Sequence, residues 1–216
     1  MRNPDFKEEK EAWRQGYGSV IGVDESGRGC LAGPVVAAAV SLEGFPRDLE
    51  ETLLKVKDSK KLSPACREQI FKTAKKTPKI RWSVSRVSEK TIDRINIYEA
   101  SRLAMKRAVL GLHRRNPSFV IVDGIAELDI DISQKSVVKG DEKVFSCALA
   151  SIFAKVVRDR AMVNYHKKYL YYGFDRHKGY PTRFHQQKIR ECGLCRIHRK
   201  SYGPCRRTLA KNPISC

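Results

Sequence analysis

The run Val20-Ile-Gly-Val-Asp-Glu-Ser-Gly-Arg-Gly-Cys-Leu-Ala-Gly-Pro-Val-Val-Ala-Ala-Ala-Val40 constrains the fold more than any other part of this chain. Ser19 to Val23 is short and β-branched, and Val35 to Val40 is apolar without a break, so both predict strands of a well-covered sheet joined by a tight connection. Asp24 and Glu25 then leave the sheet at a strand end. Neighbouring strand side chains point to opposite faces, so both acids reach one site only if the chain bends there, and Gly27 and Gly29 permit a bend. A hairpin with solvated acids at its turn is the ordinary account of such a pair. Three glycines at 27, 29 and 33, with Arg28 between the first two, exceed what a turn needs and would let bare backbone lie against a ligand.

The chain of 216 residues is long enough for one full core, with a short appendage, and its 41% hydrophobic and 31% charged content fits a soluble globular protein. Lys and Arg total 43 against 24 Asp and Glu, a net +19 that exceeds what solubility requires and points to a polyanionic partner. The excess is uneven. Lys155 to Cys216 holds sixteen basic and three acidic residues, which suggests an acidic catalytic part followed by a basic gripping part. No basic amphipathic helix with a clean apolar face stands out, so nucleic acid is favoured over membrane. The first ten residues lack a signal-like apolar segment and no apolar run is long enough to span a bilayer, so a cytoplasmic location is expected. Seven scattered cysteines suit reduced thiols better than a disulfide framework.

Along the chain, residues 1 to 16 form a charged lead-in. Asp58-Ser-Lys-Lys-Leu-Ser63 is a polar loop, with Ser63 and Pro64 as N-cap and first residue of a helix to about Lys76. Lys79 to Val87 alternates around Ile80, Trp82 and Val84 and predicts a third strand. Ser88 caps a helical region with Ile92 and Ile95, followed by a second helix from about Ile97 to Arg114 that Asn116-Pro117 ends. Phe119 to Val122 is a buried-type strand that delivers Asp123, and Ser136 to Asp141 repeats the pattern. A long helix begins near Val144 with Leu149, Ile152, Phe153, Val156 and Val157 on its apolar face, and Arg158-Asp159-Arg160 turns polar. Asp159 there reads as a structural salt-bridge partner. From Gly173 to His185, interleaved cations and rings suit a strand of phosphates and sugars.

Asp24, Glu25, Asp123 and Asp141 thus come from three strand-like segments. Four hard oxygen donors suit Mg²⁺ or Mn²⁺, and two such ions about 4 Å apart are the arrangement that cleaves phosphodiesters. Isolated strand-end aspartates are common, so spacing alone leaves a structural role open. Gly22-Val-Asp-Glu-Ser-Gly-Arg-Gly29 followed by Leu31-Ala-Gly-Pro-Val-Val-Ala-Ala-Ala-Val40, Asp58-Ser-Lys-Lys-Leu62, Val122-Asp-Gly124, Lys139-Gly-Asp141, Ala150-Ser-Ile-Phe-Ala-Lys-Val-Val-Arg-Asp159, His177-Lys-Gly-Tyr-Pro-Thr182 and His198-Arg-Lys-Ser201 together resemble ribonuclease HII, in that family's order, over about residues 19 to 205.

The resemblance implies an α/β fold, a ribonuclease H-like mixed sheet flanked by helices with a small basic helical C-terminal appendage. One domain spans 1–216, with a catalytic core over about 17–160 and the basic segment over about 161–216. It implies that Asp24, Glu25, Asp123 and Asp141 bind two divalent ions, Mg²⁺ or Mn²⁺, and that Gly27, Arg28 and Gly29 read a ribonucleotide 2′-hydroxyl through the backbone. Lys60 and Lys61 would lie by the substrate backbone, and Tyr180 would pack against the deoxyribose that follows the ribonucleotide. The implied partners are RNA/DNA hybrids and duplex DNA containing ribonucleotides, cut 5′ to the ribose to leave 3′-hydroxyl and 5′-phosphate ends, by a monomer. Gly-Arg-Gly and the lack of an added N-terminal domain favour type HII over type HIII.

Ser26 stands where alanine is more usual and Cys30 where proline is common, which is expected to loosen the turn without removing a ligand. Leu149 sits in an otherwise Ala-rich motif and bears on packing. Cys192, Cys195, His198 and Cys205 have the residue types of a zinc site, but the gap to Cys205 is irregular and His198 belongs to the resemblance, so no zinc is expected. Two rival readings are a DNA nuclease or strand-transfer enzyme indifferent to the 2′-hydroxyl, and a non-catalytic basic module with structural acids. Comparing an all-DNA duplex with one holding a single ribonucleotide separates the first, and any cutting excludes the second.

Overall fold

The structure, a computed structural model, describes residues 3–44, 51–112, 118–125 and 127–211. After helix α1 (Lys7–Arg14), strands β1 (Ser19–Ser26) and β2 (Val35–Leu42) pair antiparallel, as the two apolar runs require. The short α2 (Glu51–Leu54) and a single 3₁₀ turn at Ser59–Lys61 lead to α3 (Pro64–Lys76), which the Ser63 hydroxyl caps by accepting from the Cys66 N–H. Then come β3 (Ile80–Val87), α4 (Glu89–Leu110), β4 (Ser118–Asp123) and β5 (Gln134–Val137). The sheet order is β3-β2-β1-β4-β5, with β4 parallel to both β1 and β5.

Every residue of β2 is buried, because the sheet is covered on both faces. Its alternation sorts Ala38, Val40 and Leu42 into a core with Ile70, Phe71 and Phe153, and Val35, Ala37 and Ala39 into a second core with Ile92, Ala104 and Ala108 of α4. The first core is closed by α6 (Phe145–Lys168), which follows the single turn of α5 (Gly140–Lys143). A Cβ on Gly22 would come within 2.4 Å of the Cys147 nitrogen, so only glycine lets the start of α6 lie directly on β1.

Three expectations change. First, β1 does not end before the acids: Asp24 and Glu25 pair with Ala38 and Ala37 of β2, and the strand runs straight to Ser26. Second, Asp141 is not at a strand end. Lys139 takes a left-handed conformation after β5, and Asp141 lies in the first turn of α5. Third, Arg158 is fully buried, where the charged triplet Arg158-Asp159-Arg160 reads as a polar surface. The two helices expected on either side of Asn96 are both present within the span of α4, which breaks at Asn96 (φ 64°), whose side chain accepts from the Glu99 N–H at 3.1 Å. Asn116 and Pro117, expected to end it, lie outside the described residues.

The C-terminal part carries α7 (Phe174–His177), α8 (Arg183–Cys192) and α9 (Gly203–Lys211). Phe174, Ile197 and Met162 pack against Ala32, and Ile189 and Cys205 against Leu31, so this segment is seated on the loop that joins β1 to β2.

Candidate active site

β1 and β4 pair in parallel only as far as Val23 and Val122. The next residues, Asp24 and Asp123, therefore stand at the carboxyl end of the parallel pair, where α/β sheets open a crevice. Both fall on the face covered by α6. The Asp123 carboxylate accepts from the Gly140 N–H at 2.6 Å, and this brings the neighbouring Asp141 to the same place. One carboxylate oxygen from each of Asp24, Asp123 and Asp141 lies within 4.8 Å of the others, and among the described residues they form the one such group of three or more His, Cys, Asp or Glu side chains.

Glu25 is not in that group. The alternation of the unbent β1 turns it away from Asp24, and its carboxylate sits 3.4 Å from the Arg28 guanidinium. Burial raises Asp24 well above the usual carboxylate range, and repulsion from Glu25, Asp123 and Asp141 adds to it. Burial likewise raises Glu25, partly offset by Arg28, and raises Asp123, with Asp141 reinforcing the shift and the Gly140 N–H opposing it. Lys60 reaches in from the 3₁₀ turn, its ammonium 3.2 Å from the Asp141 carboxylate. Burial would lower Lys60, but the attraction of Asp141, Asp58 and Asp24 leaves it raised. Lys61 pairs instead with Asp58 and Glu142, each at 3.7 Å. Crowded, desolvated carboxylates with hard oxygen donors fit a small divalent cation, which would relieve the repulsion that raises them.

Gly27, Arg28 and Gly29 lie beside this cluster, and the two glycines differ. A Cβ on Gly27 would meet Arg158 Nε at 2.0 Å, whereas one on Gly29 would meet nothing within 4 Å. Gly27 is thus required by the interior, and Gly29 faces open space. Tyr180 flanks the same turn, 38% exposed as a residue, with the Lys155 ammonium 5.6 Å and the Arg158 guanidinium 5.9 Å from the ring centre. Beyond it, Arg67, Lys155, Arg160, Arg176 and Lys178 line a groove of about 870 Å³. Asp159 does serve in ion pairs, with Lys155 at 2.7 Å and Arg67 at 3.9 Å. Cys30 is buried and its N–H closes on the Gly27 carbonyl at 3.4 Å, a bond proline could not make.

Sequence patterns did not reveal the buried groups that shape this turn. Arg158 donates to the carbonyls of Pro34 (3.0 Å), Lys178 (2.9 Å) and Ala32 (3.2 Å), and Arg199 to those of Gly33 (3.0 Å) and Arg28 (2.8 Å). Nothing in a single arginine's spacing distinguishes such a clamp from surface charge. The histidines form a second hidden network. His198 Nδ1 accepts from the Cys195 N–H, so its Nε2 donates to His185 Nε2 at 3.1 Å, and His185 Nδ1 donates to the Tyr180 carbonyl at 2.9 Å. Of the zinc-type residues, Cys195 touches His198 at 3.1 Å, Cys192 is exposed, and Cys205 is buried against the Leu31 carbonyl.

The model of the family Ribonuclease HII matches residues 21–205. The chain belongs to the ribonuclease HII family. It is 47% identical over 197 residues to the ribonuclease HII of Caldicellulosiruptor saccharolyticus, covering 91% of this chain and 93% of that one. It is 49% identical over 184 residues to that of Pelodictyon phaeoclathratiforme, covering 85% and 88%. Its fold is similar to the crystal structure of the ribonuclease H2 from Pyrococcus horikoshii OT3, with a TM-score of 0.73 and 26% identity over 89% of this chain and 98% of that one. This member of the family is a ribonuclease H, an endonuclease acting on RNA/DNA hybrids. No helix among its described residues is long and apolar enough to cross a membrane.

Proposed function

We propose that the chain, as one domain of core and basic C-terminal segment, cuts the RNA strand of hybrids and also cuts 5′ to single ribonucleotides in duplex DNA. The observation that carries this reading is the convergence of Asp24, Asp123 and Asp141 within 4.8 Å beside an open glycine backbone. Two divalent ions, Mg²⁺ or Mn²⁺, would there lower the pKa of an attacking water and stabilise the leaving 3′-oxygen, giving 5′-phosphate and 3′-hydroxyl ends. The three aspartates would hold the ions, with Glu25, paired to Arg28 beside them, as the fourth carboxylate. Lys60, which balances Asp141, and Lys61 beside it would contact the substrate phosphates. Arg28 and the backbone of Gly27 and Gly29 meet the ribose, where a side chain at Gly29 would intrude. Tyr180 packs on the following deoxyribose, and the cationic groove beyond it follows the backbone. The enzyme works as a cytoplasmic monomer.

Asp123→Asn keeps the oxygen that accepts from Gly140 but loses the charge. Its turnover with Mg²⁺ is expected to fall about 10³-fold, and in EDTA it is expected to melt a few degrees higher because the repulsion among the acids is relieved. Near-normal turnover removes Asp123 from the site. The substrate is tested by two otherwise identical duplexes, one all-DNA and one with a single ribonucleotide. Cutting is expected only in the second, at the 5′ side of the ribose; equal cutting of both ends the ribonucleotide reading.

A further inference from the structure

The Arg28 carbonyl accepts two hydrogen bonds from inside the protein, from Arg199 Nη1 at 2.8 Å and from the Tyr202 hydroxyl at 2.6 Å. The two donors are themselves joined, since Arg199 Nη1 also donates to the Tyr202 hydroxyl at 2.9 Å. Arg199 is fully buried, and a second of its bonds goes to the Gly33 carbonyl at 3.0 Å, so the guanidinium is fixed at two points of the loop. No acid is hydrogen-bonded or ion-paired to it among the described residues, and its Nη2 finds no partner. Burying a cation on carbonyls alone is costly. Packing alone would be served more cheaply by an apolar side chain.

In a trans peptide the C=O and the N–H point in opposite directions across one plane. Two inward donors on the Arg28 carbonyl therefore turn the Gly29 N–H outward. Gly29 is exposed, its N–H donates to no acceptor among the described residues, and a Cβ there would meet nothing within 4 Å. Hydrogen bonds to a peptide carbonyl, one of them charged, also strengthen the donor at the other end of the same peptide. We infer that Arg199 and Tyr202 are positioning residues for ribose recognition: they aim and polarise the Gly29 N–H toward the sugar from the far side of the Arg28–Gly29 peptide. This rests on the reading that the Gly-Arg-Gly backbone meets the ribose. It extends that reading to two side chains that do not touch substrate, one of them buried.

The test measures Kd for the single-ribonucleotide duplex and for the matched all-DNA duplex, in the Asp123→Asn background so that cutting does not interfere. Tyr202→Phe removes only one hydroxyl from a half-buried ring. Arg199→Lys keeps the charge but cannot span both the Gly33 and Arg28 carbonyls. The preference for the ribonucleotide duplex is expected to fall about fivefold in Tyr202→Phe and about tenfold in Arg199→Lys, with all-DNA binding within about twofold of the parent. A purely structural role would weaken both duplexes together or only lower the melting temperature. A preference unchanged in folded Tyr202→Phe overturns the inference, whatever becomes of Arg199→Lys. A parent that shows no preference at all overturns the ribose reading itself, and the inference with it.

Discussion

Gly27 and Gly29 stand two residues apart in one turn and answer to different neighbours. Gly27 sits at φ 101° with the Arg158 side chain pressed where a Cβ would be, so Gly27→Ala must strain the backbone and displace a buried guanidinium that holds three carbonyls. A loss of about 2–4 kcal/mol is expected, read by chemical denaturation. Gly29→Ala meets no protein atom, so its stability is expected to stay within about 1 kcal/mol of the parent while cutting of the ribonucleotide duplex falls on the order of 10²-fold. The opposite pattern, an unstable Gly29→Ala or an active one, would mean that the open side of this turn does not face the sugar. Asp24, Glu25 and Asp123 were legible one by one, because each follows an apolar run. Their grouping was not: that Asp24 rather than Glu25 faces Asp123 depends on β1 continuing to Ser26, which the glycines after it do not announce.

At the scale of elements, unbroken apolar runs located β1, β2 and β4, alternation located β3, a cap located α3 and an apolar face located α6. They failed at Asp141, where one left-handed residue, Lys139, converts an expected strand end into a helical turn. They failed again where His177 of α7, His185 of α8 and His198 of the loop before α9 come together, because rings that meet across loops carry no period. Burial lowers His185 to about 4 and His198 to about 3, and each tautomer is fixed by its backbone bonds. Both folded values lie below the unfolded one, so the neutral rings contribute their full stability above about pH 6.5 and lose it as the pH falls toward those values. Between pH 7 and pH 5 the loss is on the order of 2 kcal/mol per ring. The crowded acids, raised in the fold, change stability in the opposite sense as the pH falls. The ring contribution is therefore read as a difference: His185→Gln is expected to lose less stability between pH 7 and pH 5 than the parent, and equal losses would show that the ring pair is not what senses acid.

For the whole molecule, composition had already divided acidic core from basic tail, and the fold gives the division a purpose by seating that tail on the loop between β1 and β2. The charge forecast where binding strength comes from, but not that its cations would be sorted into buried clamps such as Arg158 and Arg199 and exposed contacts such as Arg176. Only the exposed ones can release counterions from a duplex. If about four phosphates are engaged, raising salt from about 50 to 200 mM should weaken binding about 10²-fold, alike for all-DNA and ribonucleotide duplexes. Arg176, exposed on the groove beside Tyr180, is expected to supply one of these contacts. Arg176→Ala should therefore weaken both duplexes by a similar factor and reduce the slope of log affinity against log salt by about one, leaving the preference for the ribonucleotide intact. A change in that preference, with the slope unmoved, would place Arg176 in sugar recognition and leave the groove without a role in tracking the backbone.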